Sequence, residues 1–155
     1  MILAYGITGG YKYPGEPERP QTDKNAFIEE CKSVADEMGI EAQEYKKVWG
    51  NFYAVEFKMD EKSIFAVLNA CHPVMAFADY DSFGQLGSGY RLNFIDESEL
   101  SRAFCHDYLV LSKEDLEEPF VLKNQPQLRD IESVKEKVKY YNPKTIGDVI
   151  FNCWD

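Results

Sequence analysis

The sequence has no long apolar run, and this shortage excludes a membrane-spanning class of protein. Its longest apolar runs, such as residues 74–78, are far shorter than the ~20 residues that a membrane-spanning helix needs. The first residues, MILAYGITGG, lack the basic region and the cleavage site of a signal peptide. We therefore expect a cytoplasmic protein with no membrane partner.

Positive charge is also scarce. Lys and Arg number 17 against 27 Asp and Glu, so the formal net charge is −10. Because phosphate backbones and anionic lipids are repelled by such a chain, we expect no nucleic-acid partner. The charge favours a basic partner, or it serves only to keep the chain in solution.

Cysteine and histidine are few, with four and two residues, and their spacing is not that of a structural zinc site. The two histidines follow cysteines, in the pairs Cys71-His72 and Cys105-His106, and both pairs are predicted at the C-terminal ends of helices. Only a meeting of the pairs in space would create a zinc site or a thiol with an imidazole base. Otherwise the cysteines are expected to be reduced thiols, without disulfides.

One loop has the start of a calcium-binding pattern but not its end. Asp79 and Asp81 would be the first and third positions, which leaves Phe83 at the fifth and Tyr90 at the twelfth. Both of these positions require oxygen ligands, and the twelfth supplies two of them. We therefore predict no metal ion and no cofactor, and expect the aspartates to bond within the turn.

The chain has ample material for one core. Its 155 residues are 45% hydrophobic and 14% aromatic, and a chain of this size buries roughly 70% of its unfolded surface. No linker or repeat divides it, so residues 1–155 are predicted to form a single domain.

Hydrophobic periodicity and end signals predict alternating strands and helices. The clearest helix spans 24–38, with Thr22 or Asp23 as its cap and Gly39 at its end. A second helix is predicted from the cap Asp60 to Pro73, and a third from the Asp96–Glu99 capping box to about Cys105. The remaining predictions are strands at 2–7, 41–48, 52–58, 74–78, 90–95 and 108–111, a hairpin turn at 50–51, an acidic turn at 113–118 and a helix over 126–141.

The last thirteen residues, 143–155, are predicted to be a docked helix. Ile146, Val149, Ile150, Cys153 and Trp154 lie at the spacing of one apolar face, and Asn142 before Pro143 suits a helix start. Together these elements predict an α+β fold with a mixed, mostly antiparallel sheet, helices on one of its faces and a docked C-terminal helix.

Negative charge is concentrated between Asp79 and Glu118. Ten acidic residues in this segment meet only Arg91, Arg102 and Lys113, a net charge of −7. Tyrosines gather in the turn-rich loops 8–22 and 79–89, where aromatic rings can supply rigid contact area to a partner. The predicted binding residues are Tyr11, Tyr13, Asp79, Tyr80, Asp81, Phe83, Asp96, Glu97, Glu114 and Glu117.

These features favour a small acidic module that binds a basic protein partner. One version is a bacterial immunity-type inhibitor whose acidic face masks a toxin. No catalytic residue is predicted. The alternatives are an enzyme or ligand-binding protein with a site between loops 8–22 and 79–89, using Asp79, Asp81 or His106, and a structural subunit of a homo-oligomer.

Overall fold

The structure is a computed structural model that describes residues 1–46, 48, 50–79 and 92–154. In this part of the chain six strands form one sheet with the order β1-β2-β3-β4-β5. The strands are β1 Glu41–Tyr45, β2 Phe52–Met59, β3 Lys62–Asn69, β4 Val74–Asp79, β5 Phe94–Ile95 and β6 Leu109–Val110. Neighbours along this order are antiparallel, while β6 pairs in parallel with the start of β4.

Helices lie on both faces of the sheet, whereas the sequence predicted them on one. The helices are α1 Lys24–Met38, α2 Ser98–Phe104, α3 Lys113–Glu117, α4 Glu132–Tyr141 and α5 Ile146–Ile150. α1 and α2 cover one face, and the N-terminal segment with residues 111–154 covers the other. The α+β prediction is confirmed, and the two cores share one sheet. No helix in the described ranges has the length and apolarity to cross a membrane.

Helix α1 has the predicted bounds because its signals are local. Asp23 accepts a hydrogen bond from the Ala26 N–H, and Gly39 ends the helix at φ 70°. Phe27 and Cys31, one turn apart, are fully buried against the sheet. The N-terminal cap, the spacing of the apolar residues and the terminal glycine all indicate the same helix. Its ends are therefore defined without a distant contact.

The helix predicted from Asp60 to Pro73 is wrong, because these residues form strand β3. Asp60 and Glu61 are the tight turn of a hairpin in which Met59 pairs with Lys62. Phe65 contributes to one core and Ile64 to the other, and both faces of the strand are buried. A strand buried on both faces has a continuous apolar run, which periodicity does not distinguish from a helix.

The strand predicted at 2–7 is also absent. Side chains satisfy the backbone here instead of a strand ladder: the Leu3 N–H donates to Gln125 Oε1 at 2.7 Å and the Tyr5 N–H to Gln127 Oε1 at 2.9 Å. Leu3 and Ile7 are nevertheless buried. The apolar pattern therefore predicted burial correctly and the secondary structure wrongly.

In the last third of the chain the helices begin and end at residues other than those predicted. α4 begins at Glu132 rather than at residue 126, and Asn142 is its left-handed C-terminal cap at φ 49° rather than the cap of the next helix. α5 begins after Thr145, which forms a capping box with Asp148. The acidic turn at 113–118 is helix α3, and α2 follows Glu97 without the predicted side-chain cap.

The docked C-terminus is confirmed, with one change. Ile146, Val149 and Ile150 are buried as predicted. The helix ends at Ile150, so Trp154 reaches the core margin from an extended tail and is only half-buried. Phe151 fills the core in its place, with its ring 5.9 Å from that of Phe52 and 5.6 Å from that of Phe94.

Candidate functional site

Acidic side chains surround one open depression, which we call the acidic depression. Its volume is about 680 Å³. Its lining residues are Asp96, Lys113, Glu114, Asp115, Glu117 and Glu118. Five carboxylates and one lysine therefore line it, and all five acidic residues are exposed. Three of the predicted binding residues, Asp96, Glu114 and Glu117, meet here.

Helix α3 holds this arrangement in place. Leu116 is fully buried and anchors the five-residue helix to the core. Ser112 and Asp115 form a capping box at its start, and Asp96 Oδ1 accepts the Lys113 N–H at 2.9 Å. Asp96 and Asp115 thus hold the start of the helix in place through hydrogen bonds, while Glu114 is exposed to solvent. Near the other end, Glu118 pairs with the N-terminal ammonium at 2.8 Å.

Glu97 and Asp79 lie outside the acidic depression. Glu97 pairs with Lys62 at 3.0 Å, and its side chain is 17% exposed. Asp79 accepts a hydrogen bond from the Asn93 amide and lines a separate surface trough with Lys58 and Lys62. The acidic residues of the segment 79–118 therefore lie on more than one surface. Lys113 lines the acidic depression, and Lys58 and Lys62 line the trough. The predicted residues Tyr80, Asp81 and Phe83 lie outside the described residues.

Tyr11 lines a different cleft, and Tyr13 packs against Tyr11. The Tyr13 hydroxyl donates to Glu136 of α4, and the Tyr11 ring, 70% exposed, packs edge-on to the Tyr13 ring at 6.3 Å. The residues lining this cleft are Thr8, Gly9, Gly10, Tyr11, Ser133, Val134, Lys137 and Trp154. It shares no residue with the acidic depression, so the sequence grouped two surfaces that the fold keeps separate.

Hydrogen bonds hold the loop that carries these tyrosines, both within the loop and to helix α4. The Arg19 guanidinium donates to the carbonyl oxygens of Gly9 and Gly10. The Glu16 carboxylate accepts from the Ser133 N–H at 3.2 Å and from the Ser133 hydroxyl, at the start of α4. A carboxylate at a helix N-terminus satisfies its free N–H groups and complements its dipole.

Sequence reasoning missed the aromatic side chains that gather around Trp154, which lines this cleft. Tyr141 stacks on Trp154 with ring centroids 5.6 Å apart and planes 8° apart. Tyr140, 81% exposed, packs edge-on to Tyr141, and Lys137 lies 5.8 Å from the Tyr141 ring centre. The Tyr140-Tyr141 pair was visible in the sequence, but nothing in the sequence indicated that Tyr141 stacks on Trp154.

The enzyme alternative placed a site between loops 8–22 and 79–89. Thr22, at the end of the first loop, bonds to the backbone of Asn69 and Ala70. Asp79, where the second loop begins, pairs with Ile64 at the other end of β3. Asn69 and Ile64 are roughly 17 Å apart at the usual rise of a strand. The two loops therefore join the sheet at opposite ends.

The Cys-His pairs have separate surroundings. His72 Nε2 lies 2.6 Å from the Tyr5 carbonyl oxygen, and burial raises the pKa of the Cys71 thiol, with Arg19 partly opposing it. Cys105 is exposed, and its Sγ donates to the Arg102 carbonyl oxygen at 3.2 Å. Within the described residues no three His, Cys, Asp or Glu side chains are grouped to hold a metal ion. Cys31, Cys71 and Cys105 are free thiols.

One carboxyl group is set apart from the others by its raised pKa. Glu30 of α1 faces Asp107, in the turn between α2 and β6, and the Tyr108 hydroxyl. Burial, followed by the hydrogen bond and the charge of Asp107, raises the pKa of Glu30 to about 7. The acidic composition gave no reason to select this pair.

Comparison of the chain with family models, with curated proteins and with solved structures found no match. The function is therefore argued from the surfaces alone.

Proposed function

We propose that the protein is a binding module that engages a basic protein partner through the acidic depression. The observation that carries the proposal is the exposure of five carboxylates around one concave surface with a single lysine. Such a surface attracts a cationic patch before contact and orients it, which raises the rate of association.

The attachment of α3 supports this role. Its buried Leu116 and its capping box hold the backbone, so Glu114 and Glu117 are presented from an ordered element. A partner that binds there has little backbone left to order, and a smaller entropy cost leaves more of the interaction energy for binding. Lys113 lies 3.8 Å from Glu117 and only partly offsets the charge.

The concrete version is an immunity-type inhibitor that acts in the cytoplasm. A toxin that acts on nucleic acid needs a basic surface to hold phosphates, and an acidic surface of this kind would cover it. The net charge of −10 is consistent with this role, since it opposes binding of the inhibitor to nucleic acid.

The test is affinity capture from the native host with three forms of the tagged protein. Glu114→Lys/Glu117→Lys reverses two exposed charges that have no part in capping. Glu29→Lys/Glu37→Lys reverses two exposed charges on α1, on the other face of the sheet, and has the same net charge. Partners would be identified by mass spectrometry and eluted in a series of increasing salt.

We expect the wild type and the α1 variant to retain one basic protein that salt removes, and the α3 variant to lose it. A partner retained equally by all three forms, or one indifferent to salt, would show that the acidic depression is not the binding surface.

A further inference from the structure

A cavity of about 330 Å³ lies between the loop 8–22, residues 50–53 and residues 70–71, which follow strand β3. It shares no residue with the acidic depression, and its volume is at the lower end of the range for small-molecule sites. Its charged lining residues are Lys12, Glu18 and Arg19. Two cations and one carboxylate leave the described lining with a net charge of +1, whereas the whole chain carries −10.

The Arg19 side chain is held in position by the protein itself. Its stem packs over Gly6, where an added Cβ would lie 2.8 Å from Cγ of Arg19. Its guanidinium donates to the carbonyl oxygens of Gly9 and Gly10. A guanidinium has five N–H donors, so three remain after these two bonds. In the part of the chain that the structure describes, Arg19 has no carboxylate partner for them.

Lys12 supplies the second positive charge. Its ammonium lies 3.2 Å from the Glu18 carboxylate and donates to the Glu16 carbonyl oxygen, also at 3.2 Å. The Glu18 side chain is 90% exposed, whereas that of Lys12 is 29% exposed. So exposed a carboxylate binds a lysine weakly, because water screens its charge and the side chain loses entropy in the pair. An external anion can therefore take the place of Glu18 at low cost.

The rest of the described lining is neutral. The backbone of Gly10 lines the cavity, and within the described residues its N–H has no hydrogen-bond partner, so it is free to donate to a ligand or to water. A Cβ added to Gly10 would have no neighbour within 4 Å. Pro20 and the half-buried Tyr53 add apolar surface. The cavity thus combines positive charge with room for a small organic body.

We propose that this cavity binds a small oxyanion, a carboxylate or a phosphate, between Arg19 and Lys12. The planar guanidinium matches two oxygens of either anion, and the ammonium adds a point charge. Because Arg19 is already held in place, binding costs little side-chain entropy there. The site is independent of the acidic depression and of the partner proposed for it.

The Cys71 thiol lines the same cavity and offers a way to detect the positive charge. The charge of Arg19 reaches this thiol, since it partly opposes the rise in pKa that burial causes. Iodoacetate and iodoacetamide both alkylate a thiolate, which forms a sulfur–carbon bond as iodide leaves, but only iodoacetate is an anion. The ratio of the two rates does not depend on the thiolate fraction, because the same thiolate attacks both reagents. Cys105, an exposed thiol outside the cavity, is the internal control.

The experiment measures both alkylation rates at Cys71 and Cys105 by peptide mass spectrometry, at constant ionic strength. The proteins are the wild type, Lys12→Gln and the control Lys139→Gln, which removes an exposed charge from α4 outside the cavity. Amide NMR of Gly10 and Cys71 follows the addition of inorganic phosphate and, separately, of acetate, with chloride for comparison. The same spectra show whether each variant is folded.

The preference for iodoacetate over iodoacetamide should be roughly fivefold greater at Cys71 than at Cys105. Lys12→Gln should reduce this preference, and Lys139→Gln should leave it unchanged. Phosphate or acetate should shift the Gly10 and Cys71 amides, and a response to one of them alone identifies which oxyanion the site takes. A preference at Cys71 no greater than at Cys105 would overturn the proposal. Amide shifts that chloride reproduces would overturn it as well.

Discussion

The side-chain amide of Asn69 donates to the carbonyl oxygen of Ile150 at 2.7 Å and so joins the end of β3 to the end of α5. Its second N–H donates to the Ile7 carbonyl oxygen at 2.9 Å, and its Oδ1 accepts the backbone N–H groups of Cys71 and His72, also at 2.9 Å. Every donor and acceptor position of this fully buried amide is thus occupied by backbone.

Two further buried asparagines extend the network. Asn51 donates to the same Ile7 carbonyl oxygen at 2.8 Å, and Asn152 donates to the Thr8 carbonyl oxygen at 2.9 Å. The Asn51 Oδ1 also accepts the Asn152 N–H at 3.0 Å, and the Asn51 N–H donates to the Asn152 carbonyl oxygen at 3.1 Å. Asn51 and Asn69 therefore hold both terminal segments to the β2–β3 hairpin, and Asn152 joins those segments to each other. In the described residues no buried side-chain nitrogen or oxygen lacks a partner.

Replacing Asn69 should destabilise the protein strongly. Asn69→Ala removes the side-chain partner of the buried Ile150 carbonyl oxygen and of the part-buried Cys71 and His72 N–H groups, while the Ile7 carbonyl oxygen keeps its bond from Asn51. Each buried group left unsatisfied costs about 1–3 kcal/mol. We expect a loss of about 3 kcal/mol or more in the free energy of unfolding, measured by urea denaturation. The exposed Asn25→Ala on α1 is the control and should change it by less than about 0.5 kcal/mol. Equal effects would show that the network contributes nothing.

Phe151 should matter more than Trp154, although Trp154 is the larger residue. Phe151 is 5% exposed and packs between Phe52 and Phe94, whereas Trp154 is half-buried and stacks on Tyr141 at the margin. Removal of a buried aromatic ring costs about 3–5 kcal/mol. Phe151→Ala should lower the free energy of unfolding by that amount and Trp154→Ala by clearly less, in the same denaturation experiment. The reverse order would contradict the assigned core.

Gly147→Ala should destabilise the protein even though alanine favours a helix by about 1 kcal/mol. A Cβ at position 147 would lie 2.5 Å from Cε2 of Phe94, whose ring is held by Phe151, and 3.1 Å from the Leu116 carbonyl oxygen. We expect overpacking to cost about 1–3 kcal/mol and to outweigh the helix preference.

A double-mutant cycle with Phe94→Leu separates this clash from backbone strain. The smaller side chain should recover part of the loss from Gly147→Ala. It should not recover the loss from the control Gly39→Ala, where the added Cβ has no neighbour within 4 Å but φ is 70°. Additive effects of Gly147→Ala and Phe94→Leu would mean that the two positions do not touch.

Elements whose sequence signals lie within the segment itself were predicted correctly, and elements without such signals were not. Helix α1 has its cap, stripe and stop signal within the segment itself, and strand β4 has a short apolar run, so both were found. Strand β3 was predicted as a helix because burial on both faces removes the alternation that identifies a strand. Helix α3 was missed, since its short acidic sequence has only one buried residue, Leu116.

The candidate site was likewise predicted only in part. Composition identified the acidic segment, and the structure gathers Asp96, Glu114 and Glu117 from it around the acidic depression. Glu97 and Asp79 lie elsewhere, beside lysines of the β2–β3 hairpin that the segment itself does not contain. Charge along a sequence therefore predicted a surface but not its extent.

By itself the sequence determined the α+β class, the buried C-terminal helix and the concentration of negative charge, because these depend on periodicity and composition within short segments. Only the tertiary structure decided that Glu30 faces Asp107, that Trp154 meets Tyr141 and that Asn69 holds both chain ends. Each of these contacts joins residues from separate elements, and their partnership depends on how those elements pack across the sheet. Hydrophobic burial brings such elements together, and no local pattern records which polar or aromatic groups will then face one another.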